Sequence, residues 1–136
     1  MNPATKPIIL VVDYDADASD TVERLVARYS HDYTIVADPD VVSASQRMRA
    51  LAESASDLAL ILADRASNGA MLLEEARTVH PHARRGLLLN WNESRSCREE
   101  IAAAFAQRQA EGFVTKPSCT PDERFHRSIT ELLDEW

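Results

Sequence analysis

Three short apolar runs in this chain each stop at a charged residue. Ile8-Ile9-Leu10-Val11-Val12 ends at Asp13, and Leu58-Ala59-Leu60-Ile61-Leu62-Ala63 ends at Asp64. Phe113-Val114-Thr115 ends at Lys116, followed by Pro117. Runs this short and this uniformly apolar, set between stretches of helical period, describe strands covered on both faces, as in a parallel sheet. In such sheets the ligand crevice lies outside the carboxyl ends of the strands. Two carboxylates and one ammonium, far apart in sequence, are therefore expected to meet at one edge.

The alternation of strand and helix repeats five times. Strand 1 is predicted at Pro7–Val12, strand 2 at Tyr33–Ala37, strand 3 at Leu58–Ala63, strand 4 at Leu87–Leu89 and strand 5 at Phe113–Thr115. Helical spacing gives each intervening segment one apolar stripe. The stripes are Val22, Leu25, Val26 and Tyr29 in helix 1, and Val41, Ala44, Met48 and Leu51 in helix 2. Helix 3, after Asn68-Gly69, has Leu72, Leu73, Ala76 and Val79; helix 4 has Cys97, Ile101, Ala104 and Phe105. Helix 5 opens with Thr120-Pro121-Asp122-Glu123, a cap, an N1 proline and an early carboxylate. Its stripe is Phe125, Ile129, Leu132, Leu133 and Trp136.

Five such units in 136 residues predict one α/β domain spanning 1–136, a doubly wound, five-stranded parallel sheet. The natural strand order is the flavodoxin-like 2-1-3-4-5. That order sets Asp13, Asp64, Asn90 and Lys116 along one crevice.

Composition narrows the functions. A net charge of −7 argues against sequence-independent binding to nucleic acid or an anionic membrane. The longest apolar run is far below a membrane span, and Met-Asn-Pro-Ala-Thr-Lys-Pro has no apolar signal region. Cys97 and Cys119 stand well apart without a CxxC, which fits a reducing, cytoplasmic setting. The four histidines show no ligand spacing with cysteine or carboxylate.

Clustered carboxylates repel one another and call for a cation. Asp13, Asp64 and Asp15 offer hard oxygen ligands suited to Mg2+. A carboxylate beside Mg2+ can also attack phosphorus, with a metal and a lysine neutralising the phosphoryl oxygens. The plainer alternative is that Asp13 and Asp15 favour the start of helix 1 through its dipole and that Asp64 caps helix 3.

The residues Ile9-Leu10-Val11-Val12-Asp13, Asp64 and Phe113-Val114-Thr115-Lys116-Pro117 resemble the receiver (CheY-like) domains of two-component response regulators over essentially the whole chain. More narrowly, Leu60-Ile61-Leu62-Ala63-Asp64, Ala83-Arg84-Arg85 and Leu132-Leu133-Asp134-Glu135-Trp136 are similar to the N-terminal receiver segment of fusions with a thioredoxin-reductase-like flavoprotein. The receiver resemblance implies that Asp64 is the phosphoacceptor facing a histidine kinase. It implies that Asp13 belongs to the metal site, that Ala66 supplies a backbone carbonyl to it, and that Lys116 contacts the phosphoryl group. It also implies a cis Lys116–Pro117 peptide. Phe113 would be the aromatic that reports phosphorylation on a face made by helix 4, strand 5 and helix 5, where a homodimer would form.

Departures from the family pattern fall on the metal arm. The second acidic position is Tyr14, a phenol with a pKa of about 10 and a poor Mg2+ ligand. The usual Ser or Thr after strand 4 is Leu89, or Asn90 after a shift of one; the Asn90 amide can donate to a phosphoryl oxygen. The loop Arg65-Ala66-Ser67-Asn68-Gly69 is short, and Arg65 is placed to offset the weakened metal site. The expectation is an atypical receiver that is not an enzyme, with weak or absent Mg2+ binding and slow or absent phosphorylation. Its alternatives are a fully phosphorylatable Mg2+-dependent receiver and a regulatory domain of a larger flavin-dependent oxidoreductase. A free-standing flavin domain is disfavoured because Asp13-Tyr14-Asp15-Ala16-Asp17 is acidic and has no phosphate cradle.

Overall fold

In the computed structural model, residues 6–13, 18–65, 68–89, 98–117 and 122–136 are described. The strands are β1 (Ile8–Val12), β2 (Thr34–Asp38), β3 (Leu58–Asp64), β4 (Arg84–Leu89) and β5 (Gly112–Thr115). The helices are α1 (Ala18–Tyr29), α2 (Val41–Glu53), α3 (Gly69–Val79), α4 (Arg98–Ala106) and α5 (Asp122–Asp134). All described strand pairs are parallel, in the order β2-β1-β3-β4-β5. The doubly wound, flavodoxin-like α/β architecture is the one the alternating pattern predicts.

Successive side chains of a strand face opposite sides, and both sides of the central strands are covered. Ile8, Leu10, Val12, Ile61, Ala63, Leu87 and Leu89 pack toward Ala44 and Met48 of α2, Leu72, Leu73 and Ala76 of α3 and Ile101 of α4. Ile9, Val11, Leu60, Leu62, Leu88 and Val114 pack toward Leu25 and Tyr29 of α1 and toward Phe125, Ile129, Leu132 and Leu133 of α5. Every residue of β1 and β3 is buried, which is why their sequences read as unbroken apolar runs.

Three packing expectations need correction. Strand β4 begins at Arg84, three residues earlier than the apolar run suggested. Val26 is 43% exposed, and the buried stripe of α1 runs instead through Thr21, Leu25 and Tyr29, at an even spacing of one turn. Trp136 lies beyond the end of α5 and is also 43% exposed. Cys97, Thr120 and Pro121 lie outside the described residues.

No helix among the described residues is long and apolar enough to cross a membrane.

Candidate functional site

Register brings the site together. Val12 lies opposite Ala63, so the next residues, Asp13 and Asp64, leave β1 and β3 side by side. Leu89 lies opposite Thr115 at the ends of β4 and β5, and the Lys116 amide donates to the Leu89 carbonyl at 2.9 Å, extending that pairing one residue past the sheet. From β5 to β3 is two strand spacings, about 10 Å. The lysine stem reaching in from the end of β5, the hydrogen bond at its tip and the Asp64 side chain together span that interval.

At its tip the Lys116 Nζ donates to Asp13 Oδ1 at 3.0 Å and to Asp64 Oδ2 at 3.2 Å. All three side chains are essentially sealed from solvent, at 0% for Lys116, 1% for Asp13 and 0% for Asp64. The Thr21 hydroxyl of α1, also buried, donates to the other Asp13 oxygen at 3.4 Å, long for such a bond. The sequence reading did not single out Thr21. Its signal was present: it shares one helix face with Leu25 and Tyr29, where an apolar residue would be expected unless a polar partner waits inside.

A further carboxylate at the same edge is drawn away. Asp38 ends β2 next to Val12 and is buried, but Arg47 of α2 donates to both its oxygens, at 2.7 and 3.2 Å. That hydrogen bond, with the Asp38 charge behind it, raises the Arg47 guanidinium above its usual range. Asp40 has a separate task, capping α2 by accepting from the Ser43 amide at 2.8 Å.

Arg65 follows Asp64 directly, and its guanidinium forms an ion pair with Glu100 of α4. The residue expected to support the acidic site thus ties the end of β3 to α4, and Glu100 is a second partner the sequence reading passed over. The Lys116–Pro117 bond is trans, since no peptide among the described residues is cis; trans is the intrinsic preference of an X–Pro bond. Asn90, Ala66, Asp15, Tyr14 and Cys119 lie outside the described residues. His80 is buried and donates through Nε2 to the Met48 carbonyl at 2.8 Å, a structural link between the end of α3 and α2.

The donor set suits a divalent ion poorly. One oxygen of each carboxylate already accepts from the Lys116 ammonium, and no group of three His, Cys, Asp or Glu side chains that could hold a metal occurs among the described residues. Mg2+ needs near-octahedral oxygen coordination and keeps several waters.

Solved structures share this architecture. A response regulator receiver domain protein from Clostridium thermocellum superimposes with a TM-score of 0.65 at 16% identity, covering 94% of this chain and 94% of that one. A response regulator from Hahella chejuensis gives 0.68 at 18% identity, covering 96% and 95%. An adenylate cyclase structure from Rhodopirellula baltica gives 0.72 at 19% identity, covering 96% and 89%. No protein-family model matches the sequence, and no curated protein matches it significantly. The chain therefore has the receiver-type fold, at identities that speak for architecture and not for chemistry.

Proposed function

We propose that this chain is an atypical receiver: a signalling module of two-component type that acts through protein contacts. Asp64 is its phosphoacceptor position. The observation that carries this reading is the Lys116 ammonium held between Asp13 and Asp64 at the carboxyl edge of a receiver-type sheet. In this reading Asp64 accepts the phosphoryl group of a partner's phosphohistidine, Lys116 meets the phosphoryl oxygens, and Asn90, the next residue in sequence after β4, is the candidate amide donor.

The atypical part follows from the cation supply. Phosphoryl transfer to a carboxylate relies on positioned positive charge to neutralise the transferring group. Here Asp64 already shares the pocket's lysine with Asp13, and the sequence has Tyr14 rather than a carboxylate directly after Asp13. Mg2+ binding is therefore weak or absent, and phosphorylation is slow or absent.

Contacts would be made on the face of α4, β5 and α5, the surface we assign to a signalling partner such as a histidine kinase or a second copy of the chain. Phe113 is 47% exposed there, edge-on to Phe105 with ring centroids 6.0 Å apart. Both line a groove of ≈ 370 Å³ with Thr115, Arg124, Ser128 and Glu131.

Incubation with acetyl phosphate and millimolar Mg2+, read by intact mass, tests the chemistry. The expected result is little or no phosphorylated species, with any trace lost in Asp64→Ala. Rapid, stoichiometric modification at Asp64 would make the domain an ordinary phosphorylatable receiver and overturn the atypical reading.

A further inference from the structure

We infer that this pocket carries its cation within the chain. The Lys116 ammonium takes the place between Asp13 and Asp64 that a divalent ion would need, and the unphosphorylated pocket takes up no Mg2+. This rests on reading the pocket as an atypical receiver site, but it makes a separate claim about what neutralises the two carboxylates.

Three features lead to it. First, one ammonium bonds both carboxylates at 3.0 and 3.2 Å, with all three side chains at most 1% exposed. A hydrated cation therefore has no open approach among the described residues and must displace the lysine. Second, displacement pulls the buried ammonium away from two carboxylates, and breaking a buried ion pair is strongly unfavourable. Third, Asp13 is engaged on both oxygens, by Lys116 and by the Thr21 hydroxyl of α1. Turning it toward a metal sacrifices two interactions. Thr21 acts here as a positioning residue, fixing the carboxylate from the side opposite the lysine.

Thermal unfolding of the whole chain against MgCl2, with ionic strength held constant by NaCl and no phosphodonor present, separates the alternatives. The wild-type midpoint is expected to stay constant up to millimolar Mg2+. Lys116→Met leaves two buried carboxylates facing each other, so its midpoint is expected to drop by many degrees and to recover in large part as Mg2+ is added. If this variant is unfolded without divalents, its folding on Mg2+ addition, followed by circular dichroism, gives the same reading. The double variant Asp13→Asn/Lys116→Met, with only one carboxylate of the Asp13–Asp64 pair left, is expected to fold with no Mg2+ response. A saturable rise of the wild-type midpoint with Mg2+, abolished in Asp13→Asn, would overturn the inference. So would a Lys116→Met midpoint that gains no more from Mg2+ than wild type. Neither result bears on whether acetyl phosphate modifies Asp64, so the inference and the atypical-receiver reading fail separately.

Discussion

A lysine with a wholly buried side chain must be held by acceptors, because an unpaired ammonium inside a protein is too costly to keep. Lys116 meets that requirement with two carboxylates from strands that are remote in sequence, which is why the three residues form one unit. Asp13, Asp64 and Lys116 were legible from the sequence because each ends an apolar run, and a charged residue there has to emerge at the sheet edge. Thr21 was passed over, although its hydroxyl on the buried face of Leu25 and Tyr29 needs a partner inside, because its partner Asp13 lies on another element. Arg65 was placed correctly in the chain, but its direction depended on Glu100, thirty-five residues away. The same edge depends on Gly69. A methyl group added there would lie 2.8 Å from the Asp64 carbonyl carbon and 2.9 Å from that of Ala63, against backbone that cannot yield. Gly69→Ala is expected to push the start of α3 off the end of β3 and to destabilise the fold by about 3 kcal/mol, the upper part of the usual overpacking range. Urea unfolding measures this, and a variant within about 0.5 kcal/mol of wild type, the usual bound for an innocuous surface change, would show that α3 is not seated on Asp64.

Among the elements, β4 shows most clearly where pattern reading stops. Its apolar half, Leu87–Leu89, was recognisable, but Arg84 and Arg85 look like a loop to any rule based on hydropathy. Each arginine enters the sheet because a carboxylate awaits it. Arg84 pairs with Glu135 near the end of α5 at 2.8 Å. Arg85, only 6% exposed, is bound by both oxygens of Glu111, whose side chain also accepts from the Arg85 amide at 3.1 Å. The Glu111 amide returns a bond to the Arg85 carbonyl at 2.9 Å, so the pair fixes the entry of β5 beside β4. None of this is periodic, and no local window of sequence contains it. Glu111→Gln keeps the shape but leaves the Arg85 guanidinium without its counter-charge. Removing one partner of a fully buried pair costs about 3–5 kcal/mol. The Glu111 side chain is 21% exposed, so a smaller loss of about 2 kcal/mol is expected, below the range for a fully buried pair. A loss below about 0.5 kcal/mol would class the pair with exposed surface salt bridges. The helices were read more accurately than β4, because a stripe of 3.6-residue period survives one error. Val26 and Trp136 were assigned to the core and lie at its margin, while Leu25, Tyr29, Ile129 and Leu132 on the same elements are buried.

At the scale of the molecule, strand order was predictable because five alternating units, covered on both sides, have few ways to close. The receiver-type structures that share this order do so at 16% and 18% identity, so the architecture tolerates nearly complete replacement of its side chains. What distinguishes one such domain from another is the chemistry at the carboxyl edge. Among the described residues, that edge holds Asp13 and Asp64 around Lys116, and Tyr14 follows Asp13 in the sequence. The account therefore depends on Asp13, Asp64 and Lys116 being energetically coupled and not merely near one another.

A double-mutant cycle over Asp64→Asn and Lys116→Met, with each variant's stability taken from urea unfolding, measures that coupling directly. The expected interaction energy is about 2–3 kcal/mol, at the upper end of values for residues in direct contact. Additivity within about 0.5 kcal/mol, the behaviour of distant and independent sites, would mean that Lys116 does not hold Asp64, and would contradict the proposed site.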